Sequence, residues 1–243
     1  MRYTYRAPRT SIHAAVPILI ATGSLGLLAL LWRRRNAPRA EQTTPERHWN
    51  RFTGEHAPHE SEGSQTAEDG TGALVHRRYE VSLPDRAVSK DIVIRLMQLH
   101  LTELAPAALA NFEKSEGTDS VFRVGDEYEI TMLGPWNGDV RVAEMLPDSF
   151  TLVTLEGHPE AGHIRFSVDD DSDRPGNLRV LIESWARARD AAVEVAYGTL
   201  GIGKQMQTEV WVTFLQRLST LAGVTTRPEV HITTENLPQP SEG

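Results

Sequence analysis

The chain of 243 residues contains no cysteine, and basic side chains are in the minority. The absence of cysteine fits a reducing compartment but does not require one. Its 25 Lys and Arg against 33 Asp and Glu give a formal net charge of −8. Because no basic patch lies outside the N-terminal region, this charge argues against nucleic acid as a partner.

Motifs of several enzyme classes are also missing. Lys204 follows three nearby glycines, but Gln205 comes next, so the spacing of a phosphate-binding loop fails. His158 and His163 do not have the HExxH spacing of a zinc protease. We therefore predict no metal and no cofactor. None of the following serines lies in a nucleophile-elbow context: Ser149, Ser167, Ser184 and Ser219.

One long apolar run is present, from residue 12 to residue 32, and it contains no charged side chain. A helix of this length covers about 30 Å, which matches the hydrocarbon core of a bilayer. The run is longer than the core of a signal peptide, and Arg33, Arg34 and Arg35 follow it in place of a cleavage site. We predict a single-pass membrane protein with the bulk of the chain in the cytoplasm.

Composition divides the rest of the chain. Polar residues dominate from residue 33 to residue 72, with too little apolar surface to offset the entropy lost on ordering. A flexible chain over residues 36–72 has a mean span of about 30–35 Å. The predicted organisation is an N-terminal tail (1–11), a transmembrane helix (12–32), a disordered linker (33–72), a folded domain (73–226) and a flexible tail (227–243).

Within the folded domain, the hydrophobic period changes twice. A strand around residues 79–83 precedes a helical stretch from 89 to 104, and a second helix is predicted to begin at Pro106, with Leu109 and Phe112 on one face. From residue 123 to residue 182, apolar residues alternate with polar ones between short turns. Consecutive strands with short connections predict an antiparallel meander.

The strongest helical pattern covers residues 203–222, after a shorter helix predicted over 191–200. We predict an α+β fold in which a curved antiparallel sheet grips this long C-terminal helix, preceded by the transmembrane helix. The space between sheet and helix is a candidate ligand cavity. The apolar stripe of the helix consists of Met206, Val210, Phe214, Leu218 and Leu221, widened by Trp211 and Leu215.

This order of elements resembles the START-like superfamily, also called SRPBCC or helix-grip proteins, which includes polyketide cyclases and lipid-transfer domains. The segment TLEGHPEAG at residues 154–162, followed by Phe166, is similar to a motif of a bacterial family placed near that superfamily. The resemblance covers most of residues 73–224 and implies a helix-grip fold with a generic ligand cavity. It implies no particular reaction, because such folds host many functions.

His158, Glu160 and His163 form the one close group of histidine and carboxylate side chains in the predicted domain. They are the catalytic candidates, but a purely structural turn is the alternative, since Gly157 and Pro159 suit a tight turn. Strand alternation favours Ser184 over Glu183 as a pocket residue. The predicted ligand-binding residues are Met132, Trp136, Phe166, Ser184, Met206, Val210 and Phe214.

Three functions remain open at this stage. The first is a membrane-anchored domain that binds a hydrophobic small molecule or lipid, with the bilayer as a second partner. The second is a cyclase- or hydrolase-type enzyme that uses His158, Glu160 or His163 as acid or base. The third is a scaffold that binds another protein. Whether the chain is an enzyme at all is left open.

Overall fold

The structure is a computed structural model, and it describes residues 39–45, 61–84, 88–118, 121–132, 137–194 and 202–237. The predicted transmembrane helix at residues 12–32 lies outside these residues. Among the helices that are described, none is long and apolar enough to cross a bilayer.

The described part of the chain contains nine strands and three α-helices of known bounds, and residues 191–194 are also helical. The strands are β1 (Arg39–Pro45), β2 (Thr71–Pro84), β3 (Ala110–Glu116), β4 (Glu127–Met132), β5 (Gly138–Leu146), β6 (Ser149–Thr154), β7 (Glu160–Asp170), β8 (Asn177–Ala188) and β9 (Val230–Leu237). The helices are α1 (Lys90–Leu99), α2 (Leu101–Leu104) and α3 (Ile202–Leu221), and a short 3₁₀ helix covers Ala67–Asp69.

All nine strands form one curved sheet in the order β1-β9-β2-β8-β7-β6-β5-β4-β3. From β3 to β8 each strand pairs antiparallel with the next, which confirms the predicted meander. The first long strand, β2, pairs antiparallel with β8 on one side and with β9 on the other. The exception to the antiparallel pattern is β1, which pairs parallel to β9.

The core lies between the concave face of the sheet and α3. Strand register sets this face, because Tyr79 of β2 and Phe166 of β7 both lie opposite Ile182 of β8. Phe214 of α3 packs against Phe166 with ring centroids 5.6 Å apart. The helix-grip arrangement is therefore confirmed, and it buries the predicted stripe of α3 apart from Leu221, which is 46% exposed.

One predicted helix is wrong. Residues 110–116 form strand β3, which pairs with β4 through Phe112 opposite Ile130. Leu109 and Phe112 are both buried, as predicted, but Phe112 reaches the core from a strand. In a segment this short, the same apolar spacing suits either element, and pairing with the neighbouring strand decides between them.

The flexible tail and the disordered linker also need correction. Residues 230–237 are paired as β9, and Val230 and Ile232 are buried in the core. Part of the linker, residues 39–45, forms β1, and residues 61–72 pack onto the domain, where Gln65 donates a 2.7 Å backbone hydrogen bond to Thr154. Both segments are rich in polar residues, but the edge strands of a sheet are held by their backbone groups and need few apolar side chains.

Candidate functional site

The candidate site is built where β7 begins and β8 ends, on the concave face of the sheet below α3. Two cavities adjoin there, one of about 220 Å³ and one of about 80 Å³. The larger cavity has apolar walls from β2 and β8, namely Ala73, Val75, Ala186 and Ala188. The smaller one is lined mainly by Leu109, Phe112, Ile130, Met132, Met206, Val210 and Trp211.

Glu160 and Gln207 line both cavities and therefore stand at their junction. The Nε2 atom of Gln207 donates to Oε2 of Glu160 over 3.2 Å. On its other side, Oε1 of Gln207 accepts a 2.8 Å hydrogen bond from Nη1 of Arg77. A continuous polar chain thus runs from the guanidinium of Arg77 through the amide of Gln207 to the carboxyl of Glu160.

Arg77 is 8% exposed and projects from β2 onto the concave face, in register with Ser184 of β8. Its Nη2 donates to Oγ1 of Thr208 over 3.3 Å, and its Nε donates to Oγ1 of Thr234 over 3.4 Å. Its guanidinium carbon also lies 5.8 Å from the ring centroid of Tyr79, a cation–π arrangement. These contacts from three elements hold the buried positive charge in one place.

The carboxyl of Glu160 titrates unlike a carboxyl in water. Burial raises its pKa, and the positive charge of Arg77 acts in the opposite direction. A carboxyl with a raised pKa at the junction of two cavities has features of a functional site. It can accept a hydrogen bond when ionised and donate one when protonated.

His158 is buried next to this junction and lines the smaller cavity. Its Nδ1 lies 2.9 Å from the carbonyl oxygen and 3.0 Å from the amide nitrogen of Glu160. Burial lowers the pKa of His158 to about 4, with a smaller contribution from Arg189, so the ring is neutral at pH 7. The side chain of Gln65 fixes the turn by donating to the backbone oxygens of both His158 and Glu160, each over 2.9 Å.

The three catalytic candidates do not form one constellation. His163 lies opposite Trp185 in the pairing of β7 with β8 and stacks on it, with ring centroids 4.9 Å apart. Trp185 also stacks on His76, at 4.8 Å, on the convex face. Side chains of a strand alternate between faces, so His163 points away from the concave face that carries Glu160. His163 is therefore separated from His158 and Glu160, which remain the two catalytic candidates near the cavities.

Two residues of the 154–162 motif, Thr154 and Gly162, have a structural role. Oγ1 of Thr154 donates to the backbone oxygens of Gln65 and Gly162, over 2.8 and 3.1 Å. The Gly162 amide also lies 3.0 Å from that hydroxyl oxygen and 2.9 Å from the Gln65 oxygen. Thr154 and Gly162 thus stabilise the local backbone, as the structural interpretation of the motif predicts. Glu160, by contrast, lines both cavities.

The predicted ligand-binding residues fall into three groups. Met132, Met206 and Val210 line the smaller cavity, and Ser184 lines the larger one. Phe166 and Phe214 are fully buried in the core and are not among the residues that line these two cavities. Trp136 lies outside the described residues. Among the described residues, no group of three His, Asp or Glu side chains is arranged to hold a metal ion.

Sequence reasoning missed Arg77 and Gln207. A signal for Arg77 exists, because it shares the alternating phase of Tyr79, Val81 and Leu83 and so belongs to the buried face of β2. Gln207 directly follows Met206 of the apolar stripe on α3 and carries no motif of its own. The two residues are 130 positions apart in the chain, and strand register brings them together.

The described residues adopt a helix-grip fold, in which a curved antiparallel sheet packs around a long C-terminal helix. Residues 104–218 match the model of a family described as "Domain of unknown function (DUF1990)", and this agrees with the observed topology. The resemblance predicted from the sequence is confirmed at the level of fold. Among curated proteins, none matches the chain.

Several solved structures are similar to this chain at low sequence identity. The Zhui aromatase/cyclase from Streptomyces sp. R1128 is 13% identical with a TM-score of 0.45, over 61% of this chain and 93% of that chain. Norcoclaurine synthase from Thalictrum flavum, in complex with dopamine and hydroxybenzaldehyde, is 14% identical with a TM-score of 0.40, over 66% and 92%. DR_A0006 from Deinococcus radiodurans is 9% identical with a TM-score of 0.38, over 58% and 96%. Sequence identities and TM-scores this low support no conclusion about the function of this chain.

Proposed function

We propose that this domain binds a small, largely apolar molecule with one polar end in the adjoining cavities between the sheet and α3. One observation carries the proposal: two cavities with apolar walls meet at Glu160 and Gln207, and the latter is hydrogen-bonded to the buried Arg77. Ligand sites commonly combine apolar walls with a few convergent polar groups in this way.

The apolar walls supply affinity. Burial of apolar surface contributes about 25 cal/mol per Å². The larger cavity, about 220 Å³, is below the roughly 300–1,000 Å³ of sites for drug-sized ligands. This size favours a compact ligand with one ring or a short chain over a lipid with two acyl chains.

The polar residues at the cavity junction determine which chemical group the polar end of the ligand can carry. Arg77 and Gln207 supply N–H donors, and Ser184 has a hydroxyl that both donates and accepts. Glu160 adds an acceptor, or a donor when it is protonated. A hydroxyl group on the ligand satisfies such a mixed set, because it both donates and accepts hydrogen bonds.

The proposal includes a membrane anchor. Residues 12–32 form the span in this proposal, and the arginines at 33–35 keep the domain on the cytoplasmic side. Support comes from the length and uniform apolarity of that run. Protease accessibility of the domain in sealed vesicles of known orientation tests the side of the membrane on which it lies.

Cyclohexanol, a single ring with one hydroxyl, is a suitable probe of the cavities. Thermal unfolding of the full-length protein in detergent micelles is measured with and without it, because a ligand that binds only the folded state raises Tm. The Ala186→Trp variant fills the larger cavity, and Ala107→Trp adds the same side chain at an exposed turn outside both cavities.

We expect cyclohexanol to raise Tm in the wild type and in Ala107→Trp. In Ala186→Trp the increase in Tm should be at least tenfold smaller. If Ala186→Trp does not fold, Ala188→Leu fills the same cavity with a smaller side chain. Equal shifts in the wild type and in a folded, cavity-filled variant would overturn the proposal. The same holds if the wild type shows no shift.

Catalysis is the second candidate function, and it is favoured by the raised pKa of Glu160. A general acid or base works best with a pKa near the operating pH, a condition that the neutral His158 does not meet. A reaction of a bound ligand that is abolished in Glu160→Gln, with cyclohexanol binding retained, would favour an enzyme. A scaffold that binds another protein is the remaining alternative. Absence of cyclohexanol binding by the wild type would favour it.

A further inference from the structure

The first strand of the sheet begins close to the predicted membrane span. Arg39, the first residue of β1, follows Trp32, the last residue of the span, by seven positions. A fully extended chain covers at most about 3.5 Å per residue, so this connection reaches no more than about 25 Å. If residues 12–32 are the anchor of the proposed function, residue 39 is the point at which the described domain is attached to it.

The register of β1 places this attachment at one end of the sheet. Arg39 lies opposite Val230, the first residue of β9, and the two strands then run parallel to Pro45 and Asn236. Because β2 is antiparallel to β9, this end also contains the C-terminal end of β2. Through the pairing of β2, β7 and β8, it includes the turn at residues 171–176.

The larger cavity lies at the opposite end of the same strands. It is lined by Thr71 at the start of β2, Glu160 at the start of β7, Ala188 at the end of β8 and Asn236 near the end of β9. Six residues of β9 separate Asn236 from Val230, which corresponds to about 20 Å at 3.3 Å per residue.

We propose that the domain stands on the membrane with the turn at residues 171–176 toward the bilayer surface and the larger cavity facing away from it. The inference rests on the membrane anchor in the proposed function. Its consequence for the ligand is specific: the larger cavity exchanges its occupant with the aqueous phase and not with the acyl chains of the anchoring bilayer.

The absence of cysteine makes the orientation directly measurable, since one introduced thiol gives one label. Ser172→Cys places a fluorophore on the turn, and Ala192→Cys places it at the cavity end; both residues are exposed and small. The full-length variants are reconstituted into phosphatidylcholine vesicles that contain a lipid with a nitroxide on its headgroup. Quenching of each label then reports its proximity to the bilayer surface.

We expect the label at 172 to be quenched at least threefold more than the label at 192. Equal quenching, or stronger quenching at 192, would overturn the orientation. Flotation of the vesicles separates this failure from failure of the anchor, because an unanchored protein does not float with the lipid.

A double variant, Glu41→Pro and Gln42→Pro, tests the part played by β1. In a parallel pair, alternate residues bond to the neighbouring strand, so one of two consecutive prolines removes a donor to β9. The difference in quenching should fall while flotation persists. An unchanged difference would show that the pairing of β1 with β9 does not orient the domain and would overturn this part of the inference.

Discussion

Gln207 of α3 donates a hydrogen bond to the carboxyl of Glu160 on β7, over 3.2 Å, at the junction of the two cavities. The same amide accepts from the buried Arg77, so it lies between a cation and a carboxyl without a direct contact between the two charges. This arrangement leaves Glu160 in a buried environment that disfavours its ionised form. The measurable properties of the site follow from that feature.

Replacing Glu160 by glutamine should stabilise the protein at pH 7. The pKa of this carboxyl is raised in the folded state, so its contribution to stability is lost as pH rises from the unfolded value of 4.5 through the folded pKa. Urea unfolding should show a gain for Glu160→Gln at pH 7 that shrinks as the pH falls toward 4.5. Glu156→Gln, at an exposed turn position, is the matched control and should change little. A destabilised Glu160→Gln variant at pH 7 would contradict the assignment.

His158 should give the protein the opposite dependence on pH. Its folded pKa of about 4 lies below its unfolded value of 6.5, so the unfolded chain takes up a proton first as the pH falls. Stability is therefore lost from pH 6.5 down to 4, by up to about 3 kcal/mol for this one group. His158→Gln should flatten the unfolding free energy across that window relative to the wild type. An unchanged slope would mean that the ring is not held neutral by burial.

Substitution of Gly162 should disrupt the start of β7, next to the site. An added Cβ at this position would overlap the backbone carbonyl oxygen of Trp185 on the adjacent strand. Gly162→Ala should cost about 3 kcal/mol or more, because neighbouring backbone cannot move without breaking the pairing of β7 with β8. Gly176→Ala is the control: it has a positive φ of 84° but open space around its Cβ, so only about 1 kcal/mol of backbone strain is expected. Thermal unfolding of both variants distinguishes a steric clash from strain, and equal losses would argue against the clash.

Two leucines of α3 should respond very differently to truncation. Leu218 is fully buried against the sheet, whereas Leu221, one turn further on, is 46% exposed. Leu218→Ala should cost about 2–5 kcal/mol of unfolding free energy, and Leu221→Ala at most about 0.5 kcal/mol. Denaturant titration of the two variants measures this difference. Similar losses would mean that the end of α3 packs differently from the structure.

Much of this fold could be predicted from local pattern. The strands β4 and β5 alternate between buried and more exposed residues, and the apolar stripe of α3 has helical spacing. The incorrect predictions concern segments whose hydrophobic periodicity is weak or whose partner strand is far away in the sequence. Phe112 suits a helix or a strand equally well, and β1 pairs with β9 at a separation of about 190 residues, which no local pattern encodes.

The site could be predicted only in part for a related reason. His158 and Glu160 could be identified from the sequence because both are titratable and lie within one nine-residue motif. The polar chain through Arg77 and Gln207 depends on the register of β2 with β8 and on the placement of α3 over it. Arg77 also follows His76 and precedes Arg78, so it has the appearance of a surface charge unless its alternating phase is considered.

The parallel pairing of β1 with β9 has a consequence for solubility. An uncovered strand presents a row of free amide and carbonyl groups on which a second molecule can extend the sheet. With β1 in place, the backbone of β9 is paired on both sides, to β1 and to β2. The sheet then ends at β1, a short strand whose sequence contains Arg39, Glu41 and Pro45, residue types that oppose edge-to-edge pairing. β1 therefore protects the domain against self-association through β9, and chains that lack residues 39–45 should aggregate more readily than the intact protein.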